Sequence, residues 1–196
     1  MLKQKHYWLF DMDGTLTRAM HDFDAMRAEL ALPPGQPILE ALAELAPELA
    51  EEKHRQLDEM ELRMASDAVA QPGSRALLSH LSAAGAQLGI VTRNGREIAD
   101  VTLEAAGLSE FFTVDTIVSR DCCAPKPDPA GVELLLNRWS ANAAQSVMVG
   151  DYLFDLQAGR AAGLTTVQLD TSGEFAWPDI TDVCVQSLPE LHALLN

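Results

Sequence analysis

The chain has 196 residues, 47% apolar and 22% charged, the balance of a soluble globular protein long enough for a full hydrophobic core. Its net charge of -15 speaks against a nucleic-acid partner, and it repels anionic substrates at long range, so a phosphate site here needs local positive charge from a metal or a lysine. Cys122, Cys123 and Cys184, odd in number and with an adjacent pair, argue for a reducing cytoplasm rather than a disulfide framework; no stretch reaches the ~20 apolar residues of a membrane span, and the first apolar run is too short for a signal peptide.

Tyr7-Trp8-Leu9-Phe10 reads as a strand buried on both faces. It runs into Asp11-Met12-Asp13-Gly14-Thr15. Alternation along extended chain sends Asp11 and Asp13 to one side, and Gly14 permits a sharp turn. From Phe23 the spacing turns helical, with Phe23, Met26 and Leu30 on one face. Pro33-Pro34-Gly35 breaks that helix, and Pro37 suits the first position of the next, which carries Leu39, Leu42 and Leu45. Pro47 interrupts or restarts it, and Leu49, Leu57, Met60 and Met64 carry it on. Residues 18–71 thus read as a helical insertion ending at Gln71-Pro72-Gly73.

Strands and helices alternate from there. Ser74 is placed to cap a helix through Ala84. Leu88–Val91 is a strand ending at Thr92-Arg93-Asn94-Gly95, followed by a helix to Ala106. Thr116–Ser119 is a strand, then come a loop with Lys126-Pro127-Asp128-Pro129 and a helix over 130–141. Ser146–Val149 is a strand ending at Gly150-Asp151, with a helix near Leu153–Ala162. Thr166–Leu169 is a strand, a short one lies within Ile180–Val185, and Ser187 caps a last helix. Such alternation implies an α/β fold, a Rossmann-like parallel sheet with helices on both faces, plus the all-helical insertion. Ligands of such sheets bind outside the carboxyl ends of the strands, where Asp11, Asp13, Thr92 and Asp151 fall, with Lys126 in the loop beyond the third strand.

These residue types suit phosphoryl transfer. Asp11 is the candidate nucleophile, and Asp13 the acid that protonates a leaving alkoxide and then deprotonates water. Asp11, Asp151 and the Asp13 main-chain carbonyl offer hard oxygen ligands for Mg²⁺. The Thr92 hydroxyl and the main-chain N–H groups of Arg93 and Asn94, at a helix start, are candidate phosphate donors. Lys126 would give fixed positive charge to the phosphoryl oxygens and to Asp11. Asp155, one turn after Asp151, would hold Lys126 or a metal-bound water. Thr15 reads as a structural hydroxyl bonding its own turn. Arg18 and His21, just past the first motif, are candidate specificity residues, Arg18 through a substrate carboxylate or second phosphate. His54, Arg63, Glu48, Glu51 and Glu52 read as solvated, the Leu–Met stripe as the insertion's own core, and Trp139 and Trp177 as packing residues.

Four motifs in order, Asp11-Met12-Asp13-Gly14-Thr15, Thr92 after Gly89-Ile90-Val91, Lys126 before Pro127, and Gly150-Asp151-Tyr152-Leu153-Phe154-Asp155, resemble those of the haloacid dehalogenase superfamily, closest to its phosphoglycolate-phosphatase-like branch. The resemblance implies a catalytic core of residues 1–17 and 72–196 and a small helical cap of residues 18–71 that closes over substrate. It implies a Mg²⁺-dependent phosphatase for a small phosphorylated metabolite, acting through an aspartyl-phosphate. Dehalogenases of the superfamily lack the second aspartate, so Asp13 speaks for phosphate-ester chemistry. Many members of the branch carry Asp-Ser shortly after Gly-Thr-Leu; Thr17-Arg18-Ala19-Met20-His21 stands here instead, so phosphoglycolate does not follow as the substrate. A sugar phosphomutase and a non-catalytic binding module are the alternatives on the same fold. The sequence leaves oligomeric state open.

Overall fold

A computed structural model of the chain describes residues 2–19 and 22–196. Its centre is a six-stranded sheet built from β1 (Tyr7–Phe10), β2 (Gln87–Val91), β3 (Ile117–Val118), β4 (Ser146–Gly150), β5 (Thr165–Leu169) and β6 (Val183–Val185). The order is β3-β2-β1-β4-β5-β6, every pair is parallel, and Phe10 sits opposite Ile90 on one side and Val149 on the other. The chain builds outward from β1 one way and then from β4 the other. The crevice beyond the ends of β1 and β4 is therefore the switch point where such sheets bind ligands.

Burial of β1 on both faces explains its unbroken apolar sequence. Trp8 and Phe10 pack with α4 (Ser74–Ala83), α5 (Arg96–Ala105) and α8 (Leu188–Ala193) through Leu77, Leu81, Leu103 and Leu191. Leu9, beside Met148 of β4, faces the opposite layer, α6 (Ala130–Trp139) and α7 (Leu153–Ala161), through Leu135 and Ala158. Fully buried side chains of this size contribute about 1.5–3 kcal/mol each. Trp139 stacks on Tyr7 and fills the space above Gly89, where a Cβ would meet its ring at 2.6 Å. Among the described residues no helix is long and apolar enough to cross a membrane.

Between β1 and α4 lie α1 (Phe23–Glu29), α2 (Ile38–Ala43) and α3 (Pro47–Ala65). They share a core of their own, Met26, Leu30, Ile38, Leu42, Leu57 and Met60, and α3 also rests against α5. The two chain crossings run side by side: Thr17 bridges Ala70 antiparallel, the Arg18 N–H donates to Val69 O at 2.9 Å, and Gln71 N–H to Leu16 O at 2.8 Å.

Four local expectations are corrected. Phe23 and Leu49 are not core residues of their helices but are 53% and 43% exposed. Pro37 is the N-cap of α2, not its first helical residue. Ser74 does not cap α4; Gly73, at φ 90°, takes that position. A tertiary bond wins over the local cap, because the Ser74 hydroxyl donates to the Leu16 carbonyl at 2.7 Å and pins the return crossing.

Candidate active site

Lys126 is the hub at the sheet's carboxyl edge. Its side chain is 2% exposed, and its Nζ donates to Asp11 Oδ1 at 2.5 Å and to Asp155 Oδ1 at 2.6 Å. Asp11 arrives from β1, Asp155 from the first turn of α7, and Lys126 from the loop after β3, before a cis bond to Pro127. The other Asp155 oxygen accepts the Tyr152 N–H at 3.0 Å, which fixes the rotamer. Asp151 completes the group: Asp11, Asp151 and Asp155 present oxygens within 4.8 Å of one another. Two glycines allow the crowding. Gly14 sits at φ 83°, and a Cβ there would lie 2.2 Å from Asp151 Oδ2; a Cβ at Gly150 would lie 2.1 Å from that of Asp155.

Three acids thus face one ammonium. Burial raises the Asp11 pKa; the Lys126 charge opposes this and the Asp13 charge adds to it. Burial, then the Asp11 and Asp155 charges, push Asp151 up to about 8. Burial lifts Asp155 to about 6 against the pull of Lys126. Burial works to lower the Lys126 pKa, but Asp11 and Asp155 together hold it above its ordinary value. The surplus of negative charge and the all-oxygen donor set fit a small hard divalent cation such as Mg²⁺. An ion bound here would displace the proton that Asp151, raised to about 8, holds at neutral pH.

Asp13 shares the cavity but not the lysine. It accepts the Asn94 side-chain amide at 2.7 Å and the Thr17 hydroxyl at 3.4 Å. Thr15 does not bond its own turn; its hydroxyl reaches Asp151 Oδ1 at 3.2 Å, across 136 residues of sequence. Thr92 is buried, and its hydroxyl oxygen accepts the Asn94 N–H at 3.1 Å. α5 begins only at Arg96, so Arg93 and Asn94 precede the helix rather than start it. The Arg93 side chain turns to Glu40 of α2, to the Lys126 carbonyl and to the Phe154 ring, 4.8 Å from its centroid. Arg18 is exposed and does not line the main cavity. His21 lies outside the described residues.

The cavity over this group has a volume of about 370 Å³. Its floor is Asp11, Asp13, Thr92, Asn94, Lys126 and Asp151, and its roof includes Arg27, Ile38, Leu57 and Glu61 from the helical insertion. Sequence reasoning passed over Arg27, Glu61 and Arg120, which also line it. Glu61 had a signal: positions 57, 60, 61 and 64 form one helical stripe, and a glutamate within an apolar stripe needs a partner. That partner is Arg120, at 2.9 Å, with both side chains about nine-tenths buried (10% and 8% exposed).

The sequence pattern of the haloacid dehalogenase-like hydrolases matches residues 8–169. A pyrophosphatase PpaX from Bacillus velezensis is 42% identical over 90 residues, a match spanning 45% of this chain and 41% of that one. A phosphoglycolate phosphatase from Pseudomonas syringae pv. syringae is 30% identical over 82% of this chain and 68% of its own length. The crystal structure of a hydrolase from Pseudomonas syringae superposes with a TM-score of 0.81 at 24% identity, over 97% of this chain and 98% of that one, a likeness of fold.

Proposed function

The chain belongs to the haloacid dehalogenase-like hydrolases and is a phosphatase of that family, and we propose that it hydrolyses a small phosphorylated metabolite through a phosphoryl group carried on Asp11, with Mg²⁺ as cofactor. The observation that carries this reading is the lysine shared at 2.5 and 2.6 Å between Asp11 and Asp155, with Asp151 beside them. Asp11, Asp151 and the Asp13 carbonyl would hold the ion, which when bound supplies positive charge to the phosphoryl oxygens.

The Asp11 carboxylate attacks phosphorus and forms a P–O bond as the ester P–O bond breaks. Asp13, held by Asn94 and Thr17, gives its proton to the departing alkoxide oxygen. It then takes a proton from the water that attacks the Asp11 phosphoryl group, releasing inorganic phosphate and restoring the free carboxylate. The Lys126 charge favours the ionised form of Asp11 against the effect of burial and neutralises phosphoryl charge. The Thr92 hydroxyl and the Arg93 and Asn94 N–H groups would receive phosphoryl oxygens. For Asn94 this requires giving up its bond to Thr92.

Residues 18–71 act as a cap over a core of residues 1–17 and 72–196, and the cavity of about 370 Å³ limits the substrate to a small metabolite. Free cysteines, with Cys122 and Cys184 exposed, suit a cytoplasmic setting. The test is phosphate release from p-nitrophenyl phosphate with Mg²⁺ and with EDTA, repeated on Asp11→Asn. Turnover that needs Mg²⁺ and disappears in a folded Asp11→Asn variant is expected; equal rates with EDTA, or an active variant, would overturn the mechanism.

A further inference from the structure

We propose that Arg27 of α1 selects the substrate by pairing with a second anionic group, a carboxylate or phosphate, on the leaving-group side. The inference rests on the phosphatase reading above and names the residue that chooses among phosphate esters.

Among the described residues, four cationic side chains line the cavity: Lys126, Arg93, Arg120 and Arg27. Three are committed. Lys126 serves Asp11 and Asp155. Arg93 gives both terminal nitrogens to Glu40. Arg120 serves Glu61, Asp58 and the Arg93 carbonyl. Arg27 is not committed in this way. Its side chain is 15% exposed, yet the carboxylate it meets at 2.5 Å, Asp24, is 87% exposed. Its second terminal nitrogen reaches the Gln36 carbonyl only at 3.4 Å. Its Nε is buried with no hydrogen-bond partner among the described residues.

A buried N–H of a charged group left without an acceptor is costly, whereas an ion pair to an exposed carboxylate is weak. Little therefore holds the guanidinium in its present pose, and an acceptor that reached Nε would be strongly bound. Released from Asp24, the guanidinium that lines the cavity would offer its Nε edge in the fork geometry that matches carboxylate or phosphate oxygens. The surroundings strengthen such a pair: Gly35, Pro37, Ile38, Leu39 and Leu57 line the same side. The phosphoryl group would sit on the floor at Asp11, and the second anion under the roof. Arg18, to which the sequence assigned this pairing, is exposed and off the cavity.

The test compares wild type with Arg27→Gln and Arg27→Lys on phosphoglycolate, pyrophosphate and p-nitrophenyl phosphate. For Arg27→Gln, kcat/KM on a second-anion substrate should fall about 10- to 100-fold relative to p-nitrophenyl phosphate, mainly through KM, with partial recovery in Arg27→Lys. Loss confined to phosphoglycolate identifies a carboxylate, loss confined to pyrophosphate a phosphate, and either supports the proposal. A change equal across all three substrates, or none, overturns it. Calorimetric binding of phosphoglycolate and pyrophosphate to Asp11→Asn, with and without Arg27→Gln, reads Arg27 without turnover. A phosphatase that fails on every ester while binding still depends on Arg27 would sink the catalytic reading alone, and binding indifferent to Arg27, or no binding of either ligand, would sink this one.

Discussion

Glu40 of α2 accepts both terminal nitrogens of Arg93, at 3.0 and 2.7 Å, so the residue next to Thr92 ties the helical insertion to the carboxyl edge of the sheet. A second tie, Arg120 to Glu61 and Asp58, joins the loop after β3 to α3, and Arg120 also donates to the Arg93 carbonyl at 3.0 Å. The two ties differ in burial. Glu40 is 39% exposed, and such pairs are worth about 0–1 kcal/mol. Breaking a buried pair such as Arg120–Glu61 costs about 3–5 kcal/mol, because it leaves an uncompensated charge. Arg120→Ala should therefore lower the urea midpoint far more than Glu40→Gln. Glu40→Gln should instead quicken hydrogen exchange in α2 and raise KM. Equal destabilisation by the two variants would show that burial does not rank these contacts.

Lys126→Met tests whether the ammonium is a structural counter-ion as well as the catalytic cation proposed above. The variant leaves Asp11 and Asp155 buried without their cation. Turnover should vanish, and at pH 8 stability should drop by about 3–5 kcal/mol. At pH 5 the penalty should shrink, since buried acids without a partner can be held protonated at less cost. Chemical denaturation at both pH values gives the answer; an identical loss at each would exclude the counter-ion role.

Gly14 offers a way to move Asp151 without touching a titrating group. Gly14→Ala adds both backbone strain, at φ 83°, and a Cβ 2.2 Å from the Asp151 carboxylate. Gly35→Ala is the control, with a similar φ of 78° and nothing within 4 Å of the added carbon. Each should lose about 1–2 kcal/mol from left-handed strain. Only Gly14→Ala should also weaken Mg²⁺ binding, by about tenfold or more, measured by calorimetric titration. Matching Mg²⁺ affinities in the two variants would detach Asp151 from the metal.

The sheet was legible because burial on two faces imposes an unbroken apolar run, which β1 and β4 both show, and because each run ends in a polar tag. β3 was overread as Thr116–Ser119 since an edge strand pairs on one side only; the ladder to β2 holds just Ile117 and Val118. The meeting of Lys126 with Asp155 could be anticipated from the one-turn offset between Asp151 and Asp155. Arg27 and Arg120 could not be placed that way, and the stripe that flags Glu61 does not name its partner. Their roles depend on how α1 and α3 lie over the sheet edge, and no spacing within one helix encodes that. Ser74 failed for the same reason: its hydroxyl had a better partner 58 residues away.

Removing metal should make stability fall with rising pH, and the cluster's acids give the sign. Asp155 and Asp151 are raised by burial from 3.8 to about 6 and about 8, and Asp11 is raised too. Between the unfolded and folded values the native chain holds more protons than the unfolded one, so its stability declines as pH increases. The contribution is fully present below about pH 4 and is lost as pH climbs through 6 and then 8. Over that window Lys126, whose pKa is raised, stays charged and adds no slope. Mg²⁺ competes with those protons, so it binds weakly at low pH and tightly once the acids ionise. The metal-free melting temperature should therefore fall from pH 5 to pH 8.5, and saturating Mg²⁺ should raise it more at pH 8.5 than at pH 5. Asp151→Asn should reduce that difference, because it removes a group whose pKa burial raises to about 8. A Mg²⁺ increment independent of pH in the wild-type chain would mean that the ion does not displace protons from these three carboxylates.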